Sequence, residues 1–113
     1  MAIDHDKARS VLGTVTGGIS GPALKPVSLA MVYKTYRAVD IPIIGIGGIE
    51  TSTDALDYFH AGARAIQIGT ANFASPSTPQ DVLAGVERYM NRKKVKTMGD
   101  LVGLAHAGTL FTP

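Results

Sequence analysis

The chain contains no cysteine. That excludes disulfides, thiolate zinc sites, iron–sulfur ligation and a cysteine nucleophile or base from these residues, and it is compatible with a cytoplasmic home. Long apolar runs are also missing. None approaches the roughly 18 residues that a membrane span needs, so no membrane role is expected. The opening stretch, Met1-Ala2-Ile3-Asp4-His5-Asp6, has neither the basic nor the apolar region of a signal peptide. Charge is sparse: 18 % of residues, with a net charge of +2. Nucleic-acid binders show a clustered basic face, and this balance argues for no such partner. No carboxylate pair, Ser/His/Asp set or metal motif stands out. His5, His60 and His106 lie far apart, where cap or surface roles suit them. No catalytic residue and no metal ligand is therefore assigned.

The 113 residues form one domain at most, with an ordinary 45 % of apolar residues. The stretch with the strongest pattern runs from Ile41 to Thr70. It opens with Ile41-Pro42-Ile43-Ile44-Gly45-Ile46-Gly47-Gly48-Ile49 and closes with Ala65-Ile66-Gln67-Ile68-Gly69-Thr70. Two short β-branched runs that stop at glycine suit strands buried on both faces, as in a parallel sheet. Between them, Leu56, Phe59 and Ala63, with Ala55 and Tyr58, recur at helical spacing. Thr51 and Asp54 form a near capping box before that helix, and Gly62 stands at its C-cap. The unit predicted is strand, glycine turn, helix, glycine, strand: one βαβ crossover.

The glycines follow the strands. In parallel α/β folds, ligands sit beyond the carboxyl ends of the strands. Glycines there either only permit tight turns or expose backbone amides to a ligand. Two such turns in tandem, Gly47-Gly48 and Gly69-Thr70, would lie side by side on neighbouring strands and make a phosphate clamp. In barrels that clamp commonly comes from the loops after strands seven and eight. A complete (β/α)₈ barrel takes about 250 residues, so the expected fold class is α/β, a partial TIM barrel of C-terminal strands and helices. A partial barrel leaves open strand edges, which call for the missing part or a second copy.

The flanking segments fill in around this unit. Met1-Ala2-Ile3 and Val11-Leu12-Gly13, around a polar turn, predict an N-terminal β-hairpin. Thr14 to Pro26 reads as a glycine-rich loop, with Lys25 as an ordinary solvated lysine. A helix is predicted from Pro26 to Val39, with Leu29, Val32, Tyr33, Tyr36 and Val39 on its apolar face. Ala71 to Ala74 reads as a single-turn helix. Thr78 caps a further helix from Pro79 to about Asn91, with Val82, Leu83, Val86, Tyr89 and Met90 buried and the Arg92-Lys93-Lys94 run as a solvated end. Thr97 and Asp100 predict a short last helix, and Ala107 to Pro113 carries no clear signal.

From Met1 to His106 the sequence resembles the C-terminal part of class 1B dihydroorotate dehydrogenase. The matching pieces are Met1-Ala2-Ile3-Asp4, Gly17-Gly18-Ile19-Ser20-Gly21-Pro22-Ala23, Lys25-Pro26, the Ile41 to Ile49 run, Gln67-Ile68-Gly69-Thr70-Ala71-Asn72-Phe73 and Leu101-Val102-Gly103-Leu104-Ala105-His106. The glycine clamp alone fits many phosphate-binding barrels; the Gly-Ile-Ser-Gly-Pro-Ala loop and the Gly-Thr-Ala-Asn-Phe turn in this order are far more specific. The resemblance implies an FMN oxidoreductase of pyrimidine synthesis that oxidises dihydroorotate to orotate. A base removes a proton, the flavin takes a hydride, and electrons leave through a partner subunit with FAD and an iron–sulfur cluster. It implies that Gly21 lies along the flavin and that Gly47, Gly48, Gly69 and Thr70 bind the FMN phosphate. The family's base is a cysteine on an earlier barrel loop, which this chain does not supply, so the chain alone is expected to be inactive. Two alternatives remain: a stand-alone partial-barrel module that binds FMN or another phosphate ligand without redox chemistry, and a different barrel enzyme with the same phosphate site.

Overall fold

The computed structural model describes residues 1–108. Residues 109–113, part of the stretch without a clear pattern, lie outside the described residues. The chain begins with an antiparallel hairpin, β1 (Ile3–Asp4) and β2 (Arg9–Ser10), in which Ile3 faces Ser10 and Asp4 faces Arg9. The second strand starts two residues before the apolar Val11-Leu12 pair that suggested it. The turn fixes the register: Asp4 accepts from the Lys7 amide at 3.1 Å, and Ala8 adopts a left-handed conformation that closes the turn early.

After the glycine-rich loop, a short 3-10 turn (Pro22–Leu24) leads into α1 (Lys25–Tyr36). This helix stops three residues short of Val39. The amides of Ala38 and Val39 both turn back onto the Thr35 carbonyl, and the Tyr36 ring fills the space left by Gly62 and Gly103. Next come β3 (Ile44–Ile46), α2 (Ser52–Ala61) and β4 (Ala65–Gln67). The strands pair in parallel with Ile44 opposite Ala65, Gly45 opposite Ile66 and Ile46 opposite Gln67. The βαβ crossover is thus present, with α2 bounded as the caps indicate. Thr51 accepts from the Asp54 amide at 3.2 Å and Asp54 accepts from the Thr51 amide at 2.9 Å, a complete capping box. Gly62 closes the helix in the left-handed conformation.

Three helical pieces complete the described residues: α3 (Ala71–Ala74), α4 (Thr78–Lys93) and α5 (Leu104–Ala107), with a 3-10 turn at Met98–Leu101 before the last. Thr78 does not cap α4. It is the first helical residue, buried, and its hydroxyl donates to the Ser75 carbonyl at 2.7 Å, while Ser77 precedes the helix and its hydroxyl donates to Asp81. Among the described residues, no helix is long and apolar enough to cross a membrane.

The core lies where α1, α2 and α4 meet. Val32, Ala55, Leu56, Tyr58, Phe59, Val82, Val86 and Leu101 are buried in one cluster. The helical spacing of α2 is the reason: its apolar residues form a single stripe turned to this cluster. Two expectations fail here. Leu83 is 60 % exposed, on the rim of an apolar groove beside Phe59, Ile66 and Ile68. Ile44 and Ile46 are 56 % and 54 % exposed, so β3 is buried on one face only. Its helix-facing residue, Gly45, is buried against Tyr58, whereas among the described residues its other face has no layer packed on it. The radius of gyration is 17.2 Å, against about 13 Å for a compact chain of this length.

Candidate functional site

In-register pairing of β3 and β4 brings the turns at their carboxyl ends side by side. A cavity of about 330 Å³ opens there. Its walls include Gly21 from the loop before α1, Gly47 and Gly48 from the turn after β3, and Gly69 and Thr70 from the turn after β4. All five residues singled out in the sequence therefore meet at one site. Ser20 and Ser28 add hydroxyls, and Glu50 is the charged residue in the lining. The donors offered to an anion are backbone amides, hydroxyls and the Gln67 carboxamide, without a lysine or arginine in the wall.

Glycine is needed at two of these positions for opposite reasons. Gly48 has φ of 65°, and a Cβ there would stand 2.8 Å from the Gly21 carbonyl oxygen and 2.9 Å from the Lys25 amide nitrogen. It lets two segments of backbone touch. Gly69 lies outside the left-handed region, and a Cβ on it meets no described atom within 4 Å. Among the described residues nothing in the packing requires glycine at 69, which lines the cavity. Such a cradle of amides and hydroxyls fits a phosphate group.

The turn after β3 is held from below. Asp54 accepts from the Glu50 amide at 3.1 Å, the Thr51 amide at 2.9 Å and the Thr51 hydroxyl at 2.8 Å. Its other oxygen meets Lys25 Nζ at 2.5 Å, and the same ammonium reaches Asp57 at 2.7 Å. Lys25 is therefore not a solvated lysine. Its neighbours in sequence gave no hint of this, because its partners lie a helix away. Burial disfavours the Asp54 carboxylate, but Lys25, the Thr51 hydroxyl and the two amides outweigh burial and hold the carboxyl down at about 2. Burial likewise opposes the charge on Lys25, and its hydrogen bonds to Asp54 and Asp57 outweigh that and raise its pKa. The network ties the start of α1 to the start of α2, and so ties Gly21 to Gly48.

Tyr58 holds the same turn from the helix layer, its hydroxyl donating to the Gly47 carbonyl at 2.7 Å. On the β4 side, Asn72 donates to the Ile68 carbonyl at 2.7 Å. Neither side chain was singled out in the sequence for the site: Tyr58 showed only as part of an apolar stripe, and Asn72 only as part of a motif. The histidines do not join the site. His5 is exposed, and His60 is half-buried beside Tyr89. His106 stacks on Tyr33 at 3.9 Å, and its Nε2 lies 2.9 Å from the carbonyl oxygen of Ala61, the last residue of α2, which is a cap role supplied from a distant segment.

Paired parallel strands joined by a helix, with glycine turns converging on a cavity at their carboxyl ends, place the chain among α/β proteins, in which ligands sit at this end of the strands. The comparisons with known proteins narrow this class. Residues 1–90 match the family described as dihydroorotate dehydrogenase, and the chain belongs to that family. Curated relatives include the catalytic subunit of dihydroorotate dehydrogenase B (NAD(+)) from Pelobacter propionicus, 52 % identical over 103 residues, which are 91 % of this chain and 34 % of the relative. The corresponding subunit from Desulforamulus reducens is 49 % identical over 106 residues, 94 % of this chain and 35 % of the relative. Among solved structures, ligand-free DHODH from Eimeria tenella superposes with a TM-score of 0.76 at 32 % identity, covering 89 % of this chain and 29 % of that one. The chain spans about a third of the length of the curated relatives it matches.

Proposed function

We propose that this chain is the FMN-phosphate-holding, C-terminal part of a (β/α)₈ barrel of the dihydroorotate dehydrogenase family, with β3 and β4 as neighbouring strands near the barrel's closure. One observation carries the reading: Gly21, Gly47, Gly48, Gly69 and Thr70 line a single cavity beyond the carboxyl ends of the paired strands. In this reading the phosphate is held by the amides of the two glycine turns and the Thr70 hydroxyl, and Gly21 runs along the flavin. Bound FMN would supply the hydride acceptor for oxidation of dihydroorotate to orotate. The residues of this chain bind and orient the cofactor. They offer no cysteine to take the proton, so activity requires residues that the remaining length of the relatives provides.

The exposed Ile44 and Ile46 face and the two free strand edges fit this arrangement, because closing a barrel would cover them. The partner for that surface is the N-terminal part of the barrel or a second copy. The relatives are named catalytic subunits, in keeping with an electron-transfer subunit carrying FAD and an iron–sulfur cluster as a further partner in the cytoplasm.

A second reading, a stand-alone module that binds FMN without redox chemistry, is favoured by one feature: the helix layer has its own continuous core, with Tyr58 and Leu101 fully buried. The test is to purify the chain, record flavin absorbance after adding FMN, and assay orotate formation. Bound flavin without orotate supports the cofactor-holding role. Orotate formed by the pure chain would refute the assignment of the base to another segment.

A further inference from the structure

We infer that Tyr58 is a positioning residue for the phosphate cradle. It turns the Gly47–Gly48 peptide so that the Gly48 amide presents its proton to the anion. The inference rests on the phosphate reading above and adds to it a residue that the glycine motifs do not include.

The argument starts from peptide geometry. The Gly47 carbonyl and the Gly48 amide belong to one planar trans peptide, so they point in opposite directions. The Tyr58 hydroxyl takes the carbonyl at 2.7 Å. Tyr58 is not in the cavity wall; it is fully buried in the helix layer. With the carbonyl drawn to the helix layer, the amide of the same peptide points away from that layer, and Gly48 is part of the cavity wall. Among the described residues, no other group accepts from the Gly48 amide.

The chain is built to let the phenol reach this point. A Cβ on Gly45 would stand 2.5 Å from the Tyr58 ring, so glycine in the middle of β3 clears the path for the ring beneath the strand. The phenol is buried, which pushes its pKa up, against smaller opposing contributions from the Ser28 hydroxyl and the Lys25 charge. It therefore stays a neutral donor. Without the hydroxyl, the Gly47 carbonyl loses its buried donor and the peptide is free to turn toward water in the cavity. That rotation would present an oxygen to the phosphate in place of a proton.

The experiment compares FMN with riboflavin, which has the same ring and lacks the phosphate. Both are titrated into the full chain, wild type and Tyr58→Phe, by quenching of flavin fluorescence, with a thermal melt of each protein alongside. The expected result is that the wild type prefers FMN and that Tyr58→Phe loses about tenfold of that preference while riboflavin affinity is unchanged. Equal weakening of both flavins, or a preference that survives the substitution, would overturn the role of Tyr58. Equal affinity of the wild type for the two flavins would overturn the phosphate reading itself, and this inference with it. Should Tyr58→Phe fail to fold, the Gly48 amide resonance of the wild-type chain decides. It should move downfield on adding inorganic phosphate, and a Gly48 resonance that stays put while Gly69 and Thr70 move would refute the inference.

Discussion

Replacing Asp54 by asparagine tests whether the turn after β3 is held by charge. Asparagine keeps a carbonyl for the Thr51 amide but cannot carry the charge that faces Lys25, so the variant mimics the protonated wild type. The Asp54 carboxyl falls from an ordinary 3.8 to about 2 in the fold. At about 1.4 kcal/mol per pH unit, that gap is worth at most about 2.5 kcal/mol. Asp54 and Lys25 retain 17 % and 21 % side-chain exposure, so water screens the pair and about 1 to 1.5 kcal/mol is the expected net loss at pH 7. In urea this moves the unfolding midpoint down by about 0.5 to 1 M. The sign with pH follows from the lowered pKa. The stabilisation is fully present above the unfolded value of 3.8 and is lost as pH falls toward about 2. Urea unfolding of both proteins, followed by circular dichroism at pH 7, 5, 3 and 2, should show a constant gap at the two higher values, a reduced one at pH 3 and little at pH 2. A gap of the same size at pH 2 would refute the reasoning, since it would have to come from shape and not from charge.

Three further substitutions separate the cavity from the frame around it. Gly69→Val should leave stability within about 0.5 kcal/mol, because a Cβ there meets nothing within 4 Å, yet weaken FMN binding more than tenfold in a fluorescence titration. Gly48→Ala should instead destabilise by about 2 to 3 kcal/mol in urea, combining a left-handed residue with a Cβ 2.8 Å from the Gly21 carbonyl oxygen. Leu101→Ala, at a fully buried position on the 3-10 turn, should cost about 2 to 5 kcal/mol in the same assay, and it should leave the ratio of FMN to riboflavin affinity unchanged in what remains folded.

What could be read in the sequence was what short segments decide for themselves. Thr51, Asp54 and Gly62 bound α2 through contacts within a turn, and the glycines after two β-branched runs marked the site because strand and turn are contiguous. The parts that could not be read depend on distant chain. Lys25 is solvated or paired according to where Asp54 and Asp57 fall, 29 and 32 residues on. His106 finds Tyr33 only because the end of the chain folds back over α1. The early end of α1 follows from Tyr36 packing against Gly62 and Gly103. Ile44 and Ile46 look like buried strand residues in any local reading, yet no layer among the described residues covers them.

The two turns of the cavity are separated by only 22 residues, and α2 fills most of that interval. Chain entropy sets little against closing so short a loop, and a helix inside it shortens the search further. The cradle can therefore assemble early, as a local event, while the hydrophobic face of β3 is still uncovered. An anion that settles into the cradle at that stage would add its binding free energy to the half-built sheet, so a bound anion would serve the chain as a folding template.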